Sequence, residues 1–367
     1  MFDRRLIKYF DWGLLWLTII LGLVGIITLY SAISAGANNP HEMFHIKQLV
    51  WYGIGIVAMV ACFLIDYKTI EQWSHVIYTG CISLLVLVLG YGKLVSGSRR
   101  WLGLGPVSIQ PSEFIKIALI FVLARYYSRL VNTRGLTIRE LITPIVLTAI
   151  PFGLIVRQPD LGTAMLLILI AGSMTVFVKI ERRSLSYIVA SCTVAIPLVW
   201  LLLKDYQKQR ILTFLYPERE PLGAGYHIIQ SKIAIGSGMI SGKGFLKGTQ
   251  NALSFLPEQH TDFIFSVLAE EWGLIGTTGL LFLFLMLTAC GLSVAHGCRD
   301  PFGIILAVGV VSMISWQVII NISMVIGLMP VVGVPLPFIS YGGSSVVSMM
   351  ICIGLLMNIS MRRFMIK

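Results

Sequence analysis

Positions 12–30 read WGLLWLTIILGLVGIITLY, nineteen residues without one charged side chain. A helix of that length rises ~30 Å, the thickness of a bilayer's hydrocarbon core. A soluble core does not need an unbroken apolar run so long. Outward from this stretch the pattern repeats, near positions 49–65, 76–91, 114–127, 141–156, 161–178, 185–203, 273–295, 302–326 and 345–359. The sequence therefore predicts an all-α integral membrane protein with about ten transmembrane helices, one polytopic domain over 1–367. A long extracytoplasmic loop, 204–262, separates the seventh span from the eighth.

Composition agrees. The chain is 56% hydrophobic and 12% charged, with mean hydropathy +0.85, whereas soluble domains carry about a quarter charged residues. An ordinary soluble enzyme and a disordered chain are both excluded. The net charge of +11 does not point to nucleic acid, because Lys and Arg collect on cytoplasmic loops for reasons of topology. With a cytoplasmic N-terminus, fifteen basic residues fall on inside segments and five, Lys47, Lys93, Arg99, Arg100 and Arg157, on short outside ones. Both termini are thus expected in the cytoplasm. Arg4, Arg5 and Lys8 before the first run, with Ala35-Gly36-Ala37 after it, imitate a signal peptide. The run is too long for that, since such regions have about 7–15 residues. The six cysteines include no C-x-x-C pair, so neither a disulfide framework nor a zinc site is expected.

Polar groups at the outer ends of spans are the candidates for function, because a bilayer tolerates them only for a reason. Glu113 and Lys116 stand at i and i+3 and share a helix face. Asp160 opens the sixth span, where an N-cap is the plain alternative to a site. Asp262 begins the approach to the eighth, with Ser266 and Glu270 following at steps of four. That stripe suggests a wetted cavity, against the same capping alternative. Tyr226–Ile235 has the pattern of a short amphipathic helix, and the glycines after it keep the loop turning, as for a segment roofing a cavity. The Pro- and Gly-rich turn 330–345 calls for non-helical backbone covered by protein or water.

In these motifs the chain resembles the SEDS family, the bacterial shape, elongation, division and sporulation proteins. The carriers are Gly97-Ser98-Arg99-Arg100-Trp101, Gln110-Pro111-Ser112-Glu113, Gln158-Pro159-Asp160-Leu161-Gly162-Thr163 and Pro257 through Phe265. The block from Asn321 to Ser340-Tyr341-Gly342-Gly343-Ser344-Ser345 is the fifth. The segment 223–236 is similar to the elongation branch, and Ser98 stands where relatives often have Ala.

The resemblance implies a peptidoglycan glycosyltransferase of the inner membrane that polymerises lipid II. It implies a class B penicillin-binding protein as transpeptidase partner within the elongation machinery, with no nucleic acid involved. It implies that Asp262 is the catalytic aspartate, that Glu113 and Lys116 are a buried pair beside the cavity, and that Arg100 belongs to an outer-loop motif. Sugar transfer from a polyprenyl diphosphate, with inversion, needs a base for the acceptor hydroxyl and cations for the leaving diphosphate. Arg100, Arg210 and Lys232, with Asp160, His260 and Ser340, are the candidate substrate-binding residues. Asp262 is either the base or a ligand for a divalent cation, Mg2+ or Mn2+; no organic cofactor is expected. A lipid II flippase or transporter, or a non-catalytic scaffold, is the competing expectation, and Glu270 and Glu271 keep the transport reading open.

Overall fold

The computed structural model describes residues 10–34, 43–95, 98–104, 107–130, 135–202, 205–216, 224–253 and 259–363. Seven of the expected spans come first: α1 (Trp12–Ser34), α2 (Phe44–Leu64), α3 (Tyr67–Tyr91), α4 (Pro111–Ser128), α5 (Ile138–Arg157), α6 (Leu161–Phe177) and α7 (Arg182–Leu202). Three shorter helices follow, α8 (Asp205–Leu215), α9 (Ala224–Ser237) and α10 (Thr249–Ala252). The last spans are α11 (Ile264–Gly297), α12 (Pro301–Val325) and α13 (Gly343–Arg362). Each apolar run is one helix, and among the described residues seven are long and apolar enough to cross a membrane. α6 is apolar but has 17 residues, and α4 carries Glu113, Lys116 and Arg125.

α4, α12 and α13 form the centre and are buried on almost every side. α2 packs along α13, α3 along α4, α1 along α11 and α6 along α12. Trp16, Leu23, Val57, Val86, Ile142 and Leu285 remain exposed on the outer helices. Such an apolar belt suits lipid and not water. Between α3 and α4 lies an antiparallel sheet of β1 (Lys93–Val95), β2 (Ser98–Leu104) and β3 (Val107–Ile109), in that order. Hydropathy does not reveal it, because its strands have only three to seven residues.

α5 contains Pro144 and Pro151. A proline has no N–H, so the carbonyl four residues earlier loses its helical donor. Here those carbonyls belong to Glu140 and Leu147, and each accepts a tyrosine hydroxyl instead. Tyr126 of α4 donates to Glu140 O at 2.7 Å and Tyr78 of α3 to Leu147 O at 2.6 Å.

α11 is interrupted at Gly273, whose φ of 61° and ψ of −156° are open to glycine and closed to other residues. The break costs the helix two bonds, from Leu274 to Glu270 and from Ile275 to Glu271. Both are replaced at both ends by the segment after α9. Leu274 N and Ile275 N donate to Met239 O and Ile240 O at 2.9 and 3.1 Å. Lys243 N and Gly244 N donate to Glu270 O and Glu271 O at 3.0 and 2.9 Å. The glycine-rich segment expected to roof a cavity is thus bonded into the break of α11. Irregular backbone in a spanning helix is permitted when its polar groups find such partners.

Candidate functional site

The motifs gather at one end of the bundle, where α4, α6, α11 and α13 begin and α12 ends. At its centre is the turn His260-Thr261-Asp262, just before α11. Its three carbonyls each accept from a different donor: His260 O from Tyr341 N at 2.9 Å, Thr261 O from Ser340 Oγ at 2.6 Å, and Asp262 O from Asn321 Nδ2 at 2.9 Å. Asn321 also donates to Val334 O at 2.8 Å. Ser340 Oγ in turn accepts from Leu336 N at 2.8 Å. Gln48 of α2 holds the segment that Ser340 belongs to, donating to Ser340 O at 3.1 Å and accepting from Gly342 N at 3.2 Å. The half-buried Asp262 side chain therefore leaves a backbone fixed at every residue. Its Oδ2 stands 3.2 Å from where a Cβ on Gly333 would lie, and Gly333 has φ +71°.

His260 and Ser340 are thus brought to Asp262 through the chain. The His260 ring lies 5.3 Å from Phe44 and 6.1 Å from Tyr341, which stack on each other at 4.4 Å. Burial pushes the Tyr341 phenol above its usual value, so it stays neutral in that stack. Phe263 takes the N-cap position of α11, and Asp262 stands one residue before it.

A second cluster joins α4 to α13. Lys116 Nζ and Glu113 Oε1 are 2.8 Å apart and both side chains are buried. Ser348 Oγ donates to Glu113 Oε2 at 3.1 Å, and Gln110 N donates to Ser344 Oγ at 3.0 Å. A third cluster surrounds Asp160, which is buried and caps α6. Its oxygens accept from Thr163 N at 3.3 Å, Thr163 Oγ1 at 3.0 Å and Gln110 Nε2 at 3.4 Å. Arg100, on β2, donates to Gln158 O at 3.2 Å and Pro159 O at 2.5 Å. It clasps the turn that carries Asp160.

Past Asp262 the polar stripe does not line a wetted cavity, because Ser266 and Glu270 are buried against protein. Ser266 Oγ lies 2.8 Å from Ser231 Oγ of α9, which also bonds to Val325 O at 2.6 Å. Glu270 Oε1 accepts from Lys243 Nζ at 2.6 Å and from Thr249 N at 2.8 Å. Glu271 accepts from Ser31 of α1. The partners of Ser266 and Glu270 come from a loop, and that of Glu271 from the first span, contacts that helical periodicity cannot foresee. Lys232 of α9 is exposed at the same end, with its Cε and amine over Gly327. The Arg210 side chain and the residues Pro257 and Glu258 lie outside the described set. Among the described residues, no group of three or more His, Cys, Asp or Glu is arranged to hold a metal. Gln48 and the bridging part played by Asn321 were not legible in the sequence, since a neutral amide carries no charge signal.

The chain matches the FtsW–RodA–SpoVE family model, described as "Cell cycle protein", over residues 9–364. It is 42% identical to "Peptidoglycan glycosyltransferase MrdB" of Escherichia coli K12, covering 92% of this chain and 91% of that one. "Stage V sporulation protein E" of Bacillus subtilis is 39% identical, covering 94% and 95%. Among solved structures, a chain of "Structural coordination of polymerization and crosslinking by a peptidoglycan synthase complex" superposes with a TM-score of 0.82 at 30% identity, covering 97% and 98%. Rod shape determining protein RodA of Thermus thermophilus superposes with 0.72 at 27% identity, again covering 97% and 98%.

Proposed function

The chain belongs to the FtsW–RodA–SpoVE family of cell cycle proteins, and from that membership we propose that it is a peptidoglycan glycosyltransferase of cell elongation. It is a multi-pass inner-membrane enzyme that polymerises lipid II into glycan strands and works in complex with a class B penicillin-binding protein, which crosslinks them. The single observation that carries the site assignment is the turn His260-Thr261-Asp262, with all three carbonyls bonded and one carboxylate projecting from it. Both termini are cytoplasmic in this reading, so that end of the bundle, with the loop 204–262, faces the outer surface.

The acceptor sugar hydroxyl attacks the anomeric carbon of a second lipid-linked chain. A carbon–oxygen bond forms there, the bond to the polyprenyl diphosphate breaks, and inversion turns an α-linkage into a β-linkage. Asp262 takes the hydroxyl proton as general base, within ~3 Å or through one water. A fixed backbone suits this task, because a base that is already oriented spends no free energy finding its direction. The leaving diphosphate gains negative charge and is met by cations, here Arg100 and Lys232 at the same end, with Arg210 as the third candidate from the sequence. Arg100 does this with the guanidinium edge left free by its two carbonyl bonds. Asp160, His260 and Ser340 shape the surface on which the sugars lie, and the Glu113–Lys116 pair holds α4 against α13 beneath it.

A divalent cation, Mg2+ or Mn2+, fits Asp262 only as one carboxylate ligand among oxygens of the diphosphate and water, an arrangement usual for magnesium. When bound it would neutralise charge on the diphosphate.

The deciding experiment uses the purified protein with its transpeptidase partner, lipid II and a divalent cation, read by glycan length. Polymer from wild type and none from Asp262→Asn is the expected result. Polymer from both removes Asp262 from the chemistry, and movement of lipid II between leaflets without polymer supports the transport reading instead.

A further inference from the structure

Asn321 is buried on α12, itself at the centre of the bundle. Its side-chain nitrogen carries two hydrogens, and both are used, on Asp262 O at 2.9 Å and Val334 O at 2.8 Å. Both neighbours are carbonyls, so the amide must present nitrogen there and not oxygen. Val334 follows Gly333, whose α-carbon faces Asp262 Oδ2. One amide therefore fixes the residue that carries the carboxylate and also the wall against which that carboxylate rests. Ser340 also joins the two segments, through Thr261 O and Leu336 N, but it is Asn321 that bonds the carbonyl of Asp262 itself.

We infer that Asn321 is a positioning residue, setting the direction in which Asp262 presents its carboxylate to the acceptor hydroxyl. The inference rests on Asp262 being the reacting group. An aliphatic side chain at 321 takes the amide donor from both carbonyls and loosens the turn at Asp262, while Tyr341 and Ser340 still hold it at His260 and Thr261. Serine keeps one donor at shorter reach, and glutamine keeps both but moves them by a carbon–carbon bond. The amide of asparagine on a helix buried all round meets the need for two simultaneous bonds in one plane.

Asn358 provides the control. It is equally buried, on α13 at the opposite end, and donates to Cys62 O at 2.7 Å and Phe63 O at 3.2 Å where α2 ends. Its loss costs similar buried hydrogen bonds far from the site.

The test compares Asn321→Ala, Asn358→Ala and Asp262→Asn in the full-length protein with its partner, measuring kcat and KM for lipid II and the thermal midpoint in detergent. Both asparagine variants are expected to lose stability. Only Asn321→Ala should lower kcat, by roughly 10–100-fold with KM within about twofold, the cost of misplacing a reacting group. If Asn321→Ala does not fold, Asn321→Ser is read in the same way. Wild-type kcat in the Asn321 variant overturns the inference, and so does an equal fall in kcat for Asn321→Ala and Asn358→Ala, which would report general loosening. If Asp262→Asn itself retains full activity, the catalytic assignment fails first and the positioning role fails with it. An inactive Asp262→Asn beside a fully active Asn321→Ala sinks the inference alone.

Discussion

Asp262 Oδ2 lies 3.2 Å from the point at which a Cβ on Gly333 would stand. That distance is tight for a carbon beside a carboxylate oxygen, and the backbone at Gly333 has φ +71°. Alanine at 333 would meet two penalties. The left-handed conformation costs about 1–2 kcal/mol, and the new methyl pushes the carboxylate out of line. Gly333→Ala is expected to be made and inserted normally yet to polymerise lipid II at least about tenfold more slowly. Wild-type turnover in this variant would mean that the carboxylate direction does not matter.

Glu113 and Lys116 make a buried pair whose members depend on each other. Removing one charge strands the other, at a cost of about 3–5 kcal/mol, while removing both is often much milder. Lys116→Met is expected to lower the thermal midpoint more than the double variant Glu113→Gln, Lys116→Met. Thermal unfolding of the four-protein cycle measures the coupling. Additive single losses would show that the pair is not a unit.

The proline–tyrosine pairs of α5 are separable in the same manner. Tyr78→Phe leaves Leu147 O without its donor, for about 1 kcal/mol or somewhat more. In that background Pro151→Ala supplies a helical N–H to the same carbonyl and should recover most of the loss. No recovery would show that the hydroxyl bond is not what stabilises α5 there.

Glu270 holds Lys243 and the start of α10 against α11. Glu270→Ala is expected to expose the segment 243–250 to added protease at the outer surface, while α11 stays intact. An unchanged cleavage pattern would mean that the backbone bonds around Gly273 hold the segment alone.

The spans were legible because a bilayer imposes a length and an apolar surface on each helix, and runs such as 302–326 satisfy both on their face. The buried ion pair was legible from spacing, as Glu113 and Lys116 at i and i+3 have little choice but to meet. Asp160 as a cap followed from its position before α6. What the sequence hid was long-range. Nothing local tells that α9 covers Ser266, that Lys243 returns to Glu270, or that Asn321 reaches Asp262 across 59 positions. The stripe on α11 was misread as facing water because helical period identifies a polar face and not what lies against it.

The tyrosines that complete α5 have a bearing on how the chain is assembled. Tyr78 and Tyr126 sit on α3 and α4, both synthesised before α5. A newly made α5 with two unsatisfied carbonyls is a poor passenger in hydrocarbon, but its two hydroxyl donors are already in the membrane when it arrives. The direction of translation and the order of contacts thus run the same way, and α5 enters as the third piece of a partly built wall. Moving these prolines onto α3, ahead of their donors, would reverse that order and ask the insertion machinery to hold an incomplete helix until its partners were made.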